Sequence, residues 1–165
     1  MKRRKNDVRE KNLRGTRSRR AFNSLCAAAA AQSGASDNSG AATLEGTWEV
    51  SVHLNNPPPG LPEEFTALET YSRGGGMVTT NDIPKGPGQG SWEKNGDGYR
   101  VTILFFTFDA GGVRNGSIKV RHGLSLKGKN DYTGRGVADI FDASGNLLVS
   151  VPFDSHGQRL ASEAP

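Results

Sequence analysis

The sequence has little cysteine and no long apolar run. Its one cysteine, Cys26, excludes an intramolecular disulfide and a cysteine-based zinc cage. No stretch approaches the roughly 18 consecutive apolar residues of a membrane-spanning helix, so we expect no such span. The three histidines, His53, His122 and His156, are widely separated. Because they form no close pair of the kind found in zinc motifs, we predict neither a metal site nor a cofactor.

Acidic residues are scarce at the beginning of the chain. Residues 1–43 contain ten Lys/Arg and three Asp/Glu, a net charge of +7, whereas residues 44–165 contain eleven and fourteen, a net charge of −3. Residues 1–20 have no apolar periodicity, so they cannot bury enough surface to offset the entropy lost on ordering. We therefore predict a disordered basic leader at 1–43 and a single domain at 44–165.

The leader contains the parts of an export signal in their usual order. A basic region is followed by a short apolar run at 25–31 and by small residues up to position 42. Within it, Arg19 and Arg20, followed by Phe22, resemble the twin-arginine export motif. That resemblance implies a periplasmic or secreted protein, and without export the protein would be cytoplasmic.

Two alternative interpretations of the leader are an uncleaved basic tail and a nucleic-acid-binding arm. The arm would lack interleaved aromatic residues, since Phe22 is the only one in the leader. The acidic domain behind it would also repel phosphate groups. We therefore predict no nucleic-acid partner.

From Leu44 onward, apolar residues recur with a period of two. In 46–54, Trp48, Val50, Val52 and Leu54 alternate with polar residues, a pattern typical of a half-buried strand. Seven further segments follow, and each is bounded by a turn rich in glycine, proline, asparagine or aspartate. They are 65–71, 77–80, 91–94, 99–108, 117–126, 132–141 and 147–153.

Eight strands joined by short turns pair antiparallel with their neighbours in sequence. Closing such a sheet on itself removes the exposed edges that invite aggregation. A two-sheet sandwich would contain similar strands but longer crossing connections. We therefore predict an all-β fold, an eight-stranded antiparallel up-and-down barrel, with an interior wide enough for side chains or one small ligand.

The segment Leu44-Glu45-Gly46-Thr47-Trp48 resembles the Gly-x-Trp motif that opens the first strand of lipocalins and their calycin relatives. The resemblance implies that Trp48 plugs the closed end of the barrel and that a small apolar ligand lies above it. The candidate lining residues, chosen from inward positions, are Trp48, Trp92, Tyr99, Val101, Ile103, Phe105, Ile118, Val120 and His122.

His122 interrupts an otherwise aliphatic strand face. It either points into the cavity, where it binds a ligand or carries a proton, or is a satisfied wall residue. Three functions stay open at this point. The barrel carries a small hydrophobic molecule, or it is an isomerase or cyclase that uses His122, Tyr99, Glu69 and Tyr71, or it is filled and acts through its surface.

Overall fold

Eight antiparallel strands close into a barrel in the computed structural model, which describes residues 42–83 and 86–163. The strands are β1 (Gly46–Leu54), β2 (Glu64–Tyr71), β3 (Gly76–Asn81), β4 (Gly88–Asn95), β5 (Gly98–Phe108), β6 (Arg114–Leu126), β7 (Asp131–Asp142) and β8 (Leu147–Arg159). Each strand pairs with the next, and β8 pairs with β1. The predicted all-β, eight-stranded barrel is confirmed.

Arg19, Arg20 and Phe22 lie outside the described residues, as does most of the predicted leader. Within 42–83 and 86–163, the chain forms no helix that is long and apolar enough to cross a bilayer.

Most strands extend beyond their predicted limits, and β4, β6 and β8 do so by three positions or more. β4 begins at Gly88, three positions before the predicted strand, because its glycines permit close packing. A Cβ at Gly88 would lie 2.5 Å from the ring of Phe105, and one at Gly90 would overlap the backbone oxygen of Thr102. β8 continues to Arg159 because its inward positions beyond 153 keep alternating with exposed ones.

The lower end of the barrel, where β1 begins, is closed by Trp48. Its side chain is fully buried, and its indole Nε1 donates a hydrogen bond to the backbone oxygen of Leu44 at 2.9 Å. The guanidinium of Arg159 lies 4.2 Å from the centroid of the indole ring and donates hydrogen bonds to the backbone oxygens of Thr43 and Glu45. Arg159 therefore ties the end of β8 to the chain that leads into β1.

Gly46 is required where the chain enters β1. Its φ is 121°, in the left-handed region that residues with a Cβ rarely adopt. A Cβ there would also contact the guanidinium of Arg159. The glycine therefore leaves room for the cation that covers Trp48.

Aromatic rings fill the lower half of the lumen. The ring of Trp48 lies 5.0 Å from that of Tyr132, and the ring of Trp92 lies 6.2 Å from that of Tyr71 and 5.6 Å from that of Tyr99. The pair of Trp92 and Tyr71 is edge-on, an arrangement that aromatic pairs prefer, and the other two pairs are tilted. The lower half is thus a packed core.

Replacing Gly157 with alanine tests this packing. A Cβ at Gly157 would overlap the ring of Tyr132, which is fully buried and has no space to move into. We expect Gly157→Ala to lower the free energy of unfolding by about 2–3 kcal/mol, the usual cost of overpacking. Urea denaturation monitored by tryptophan fluorescence measures the change.

Gly123→Ala is the matched control for that variant. Gly123 also lies within a strand, but it is exposed, and the nearest atom to a Cβ there is 3.8 Å away. This substitution is expected to leave the free energy of unfolding unchanged within about 0.5 kcal/mol. An equal loss in the two variants would contradict the described packing of Tyr132.

Candidate functional site

A cavity occupies the upper half of the lumen. Its volume, counted as the space open to the centre of a water molecule, is about 80 Å³. One water fills roughly 10–15 Å³, so the cavity has room for several waters or for one small molecule. Its wall is mostly apolar, and the apolar members are Val52, Leu54, Leu61, Phe65, Ala67, Ile83, Ile103, Phe105, Ile118, Val120, Ala138, Ile140, Val151 and Phe153.

The sequence-predicted lining residues divide between the two halves of the barrel. Five of them contribute to the cavity wall: Ile103, Phe105, Ile118, Val120 and His122. The other four lie in the packed lower half, outside the cavity wall: Trp48, Trp92, Tyr99 and Val101. The alternation pattern identifies which residues point into the barrel, but it does not show at which level along the barrel axis the cavity lies.

A buried carboxyl group lies at the base of the cavity. Glu69, on β2, is 5% exposed and contributes to the cavity wall. Its Oε2 accepts hydrogen bonds from the hydroxyl groups of Tyr71 at 2.5 Å and Tyr132 at 2.9 Å. Both tyrosines are essentially inaccessible to solvent, so this cluster links the polar base of the cavity to the packed core below.

Burial dominates the electrostatics of this cluster. It raises the pKa of Glu69 because removal from water penalises the charged carboxylate, and the hydrogen bonds from Tyr71 and Tyr132 oppose that shift. It also raises the pKa of both tyrosines, which therefore remain hydrogen-bond donors. The site consequently holds its proton more strongly than a carboxyl group in water.

A second polar pair faces the lumen from β6 and β8. His122 is 3% exposed, and its Nε2 forms a hydrogen bond of 2.8 Å with the hydroxyl of Ser155. Burial lowers the pKa of His122 to about 4, so the imidazole is neutral at physiological pH. Gly134 makes room for the pair, because a Cβ there would overlap both side chains.

Four polar groups of this region were not identified as site residues from the sequence. They are Thr79 and Asn81 in the cavity wall, Tyr132 bound to Glu69, and Ser155 bound to His122. Alternation could have placed Ser155 inward, since it is in phase with Val151 and Phe153 in β8. No sequence signal joins Tyr132 to a carboxyl group 63 positions away.

The arrangement can hold a small apolar molecule and offer it a few hydrogen bonds. No cluster of three or more histidine, cysteine, aspartate or glutamate side chains suited to a metal ion occurs among the described residues. The isomerase or cyclase alternative names His122, Tyr99, Glu69 and Tyr71. Of these, His122 and Glu69 contribute to the cavity wall, Tyr71 binds Glu69, and Tyr99 lies below.

Comparisons with known proteins do not assign the chain to a class. No protein-family model matches it, and a search of the curated proteins finds no significant match. Its function must therefore be inferred from the residues of the barrel.

The lowered pKa of His122 predicts a pH-dependent stability. Between pH about 6.5, the ordinary histidine value, and pH about 4, the unfolded chain binds a proton that the folded chain excludes. The contribution of neutral His122 to the free energy of unfolding is therefore complete above pH about 6.5. It is lost as the pH falls through the folded-state pKa of about 4, and the total loss is up to roughly 3 kcal/mol.

Comparison with His122→Gln isolates the effect of His122. Glu69, whose pKa is raised, changes the stability with pH in the opposite direction, but it does so in both proteins and therefore cancels in their difference. We expect the difference in the free energy of unfolding between wild type and His122→Gln to shrink as the pH falls from 7 to 4. Urea titrations across that range measure it. A difference that stays constant with pH would mean that His122 is not held neutral by burial.

Proposed function

We propose that this protein is an exported carrier that binds one small, mainly apolar molecule in the upper half of its barrel. The observation that supports this most directly is the apolar cavity itself. Packed rings around Trp48 border it below, and the loop residues Leu61 and Ile83 contribute to its wall from above. A carrier needs such a space and needs no reactive groups.

The resemblance to lipocalins agrees with this proposal in one respect. Trp48 lies at the closed end of the barrel, and the cavity lies farther along the strands, as the Gly-x-Trp resemblance implies. Since one fold supports many functions, the resemblance adds support but does not identify a ligand.

The size of the cavity limits the affinity for purely apolar ligands. A single-ring molecule that buries about 200 Å² of apolar surface gains roughly 5 kcal/mol. The loss of translational and rotational freedom offsets part of this gain, so we expect a Kd on the order of 1 mM or weaker. A natural ligand of the same size that binds more tightly must also use the polar groups of the wall.

The second candidate function is an isomerase or cyclase, and Glu69 is the observation that favours it. A buried carboxyl group with a raised pKa in a cavity wall can act as a general acid or base toward a bound substrate. Native mass spectrometry of the protein purified from its source separates the two functions. A co-purified apolar molecule supports carriage, and chemical conversion of an added molecule supports catalysis.

Toluene is a suitable probe for the cavity because it is a single small ring without a hydrogen-bonding group. At a concentration ten times its Kd, toluene is expected to stabilise the folded protein by about 1.4 kcal/mol. It should also shift the methyl NMR signals of Ile103, Ile118 and Val120, which contribute to the cavity wall. Thermal unfolding and methyl NMR measure the two effects.

Ala138→Leu is expected to abolish toluene binding, because Ala138 contributes to the cavity wall and a larger side chain would occupy the space. Val137→Leu is the matched control. It also enlarges a side chain of β7, but Val137 is the residue before Ala138 and faces away from the lumen. Equal toluene binding by the two variants, or none by the wild type, would contradict binding in the lumen.

The proposed export is tested at the arginine pair of the leader. We expect Arg19→Lys with Arg20→Lys to block export and to leave uncleaved protein inside the cell, because the twin-arginine motif depends on both arginines. Arg3→Lys with Arg4→Lys preserves the same charge and is the control. Cell fractionation measures the outcome, and normal export of the first variant would refute the twin-arginine interpretation.

A further inference from the structure

The polar groups of the cavity are unevenly distributed. Glu69 on β2 and Thr79 on β3 are directly paired, and Asn81 lies two positions farther along β3. All three contribute to the cavity wall, and His122 is the only other polar side chain of the wall in the described part of the chain. One side of the cavity, formed by β2 and β3, is therefore polar, and the remainder is largely apolar.

Two oxygen atoms on this polar side have no hydrogen-bond partner in the described residues. Glu69 Oε2 accepts two tyrosine hydroxyl groups, whereas Oε1 accepts none. The side-chain oxygen of Asn81 is buried and is also without a partner. A buried polar atom in a folded protein nearly always has a partner, so Asn81 Oδ1 indicates a binding partner that the chain itself does not supply. Glu69 Oε1, on the same side of the cavity wall, accepts no hydrogen bond from the described residues and can bind the same molecule.

The charges around the cavity restrict that partner. No lysine or arginine contributes to the wall among the described residues, and the buried His122 is neutral above a pKa of about 4. An anionic ligand would thus be buried without a counter-charge, next to a carboxyl group. A cationic ligand would require Glu69 to ionise, which burial opposes.

We propose that the ligand of this barrel is an uncharged molecule with an apolar body and a hydroxyl group, an alcohol or a phenol, whose hydroxyl binds Glu69 Oε1. The inference rests on the proposed function and specifies the chemical class of its ligand. A hydroxyl group both donates and accepts hydrogen bonds, so it pairs with the carboxyl group whether or not that group holds its proton. The apolar body then lies against the aliphatic and aromatic wall.

Phenol and toluene test the inference directly, because they have the same number of non-hydrogen atoms and differ by a hydroxyl in place of a methyl group. In a wholly apolar cavity toluene binds better, since phenol would lose its hydrogen bonds to water. With Oε1 available, we expect phenol to bind about fivefold more tightly than toluene. Isothermal titration calorimetry at pH 7 gives both values of Kd.

Two charged single-ring probes, each slightly larger than phenol, complete the series. Benzoate and benzylamine are each expected to bind more weakly than phenol, because neither charge has a suitable partner in the cavity. If benzoate bound more tightly than phenol, the inference would be overturned. If benzylamine bound more tightly than phenol, the inference would be overturned in favour of a cationic ligand. Neither result would affect binding in the lumen as such.

A set of substitutions assigns the preference to Glu69. Glu69→Leu alone would leave the hydroxyl groups of Tyr71 and Tyr132 buried without an acceptor and could unfold the protein. Glu69→Leu is therefore combined with Tyr71→Phe and Tyr132→Phe. The control is Glu69→Gln, whose amide oxygen still accepts both tyrosine hydroxyl groups and whose amide nitrogen can donate a hydrogen bond to phenol. We expect the control to prefer phenol and the triple variant to prefer toluene.

The outcomes separate this inference from the proposed function. If toluene and phenol both fail to bind the wild type, the proposed function and the inference are both wrong. If toluene binds and phenol is no better, carriage of an apolar molecule stands and the hydroxyl inference is overturned. A triple variant that still prefers phenol would show that Glu69 is not the partner of the hydroxyl group.

Discussion

The narrow lumen of an eight-stranded barrel is the constraint on which the rest of this structure depends. Side chains from opposite walls compete for the same space, so a large ring is accommodated only where its neighbours are small. The ring of Tyr132 lies against Gly157, and the ring of Phe153 lies against Gly136. Ala67 and Ala138 are the smallest side chains of the cavity wall.

Polar groups inside the lumen oppose the stability of the fold. Burying Glu69 and His122 costs free energy because both lose water, and the hydrogen bonds from Tyr71, Tyr132 and Ser155 offset only part of that cost. An apolar core of the same shape would avoid the penalty. The proposed binding function would account for their presence in the lumen.

Much of the fold could be predicted from the sequence because strand periodicity is a local property. The alternation of Trp48, Val50, Val52 and Leu54 defines one inward face, and the turns between strands define the order of pairing. The start of β4 is not predicted because Gly88 lies in a sequence with the composition of a loop. The close side chains of Phe105 and Thr79, which explain why a glycine stands there, become neighbours only in the folded barrel.

The candidate site was less predictable because it depends on contacts between distant parts of the chain. His122, Ile103 and Phe105 were identified as inward residues, and they contribute to the cavity wall. The level along the barrel axis at which the cavity begins depends on how the rings of Trp92 and Tyr99 pack below it. The alternation of apolar and polar residues in the sequence carries no information about that packing. The bond between Tyr132 and Glu69 likewise follows from closure of the barrel.

A crystal structure of the protein under xenon pressure tests the central claim most directly, because xenon enters preformed apolar cavities without needing a polar partner. We expect one ordered xenon atom in the upper half of the lumen, in contact with Ile103, Ile118 and Val151. A lumen without bound xenon, with the rings of Phe105 and Phe153 packed against each other across it, would contradict the account.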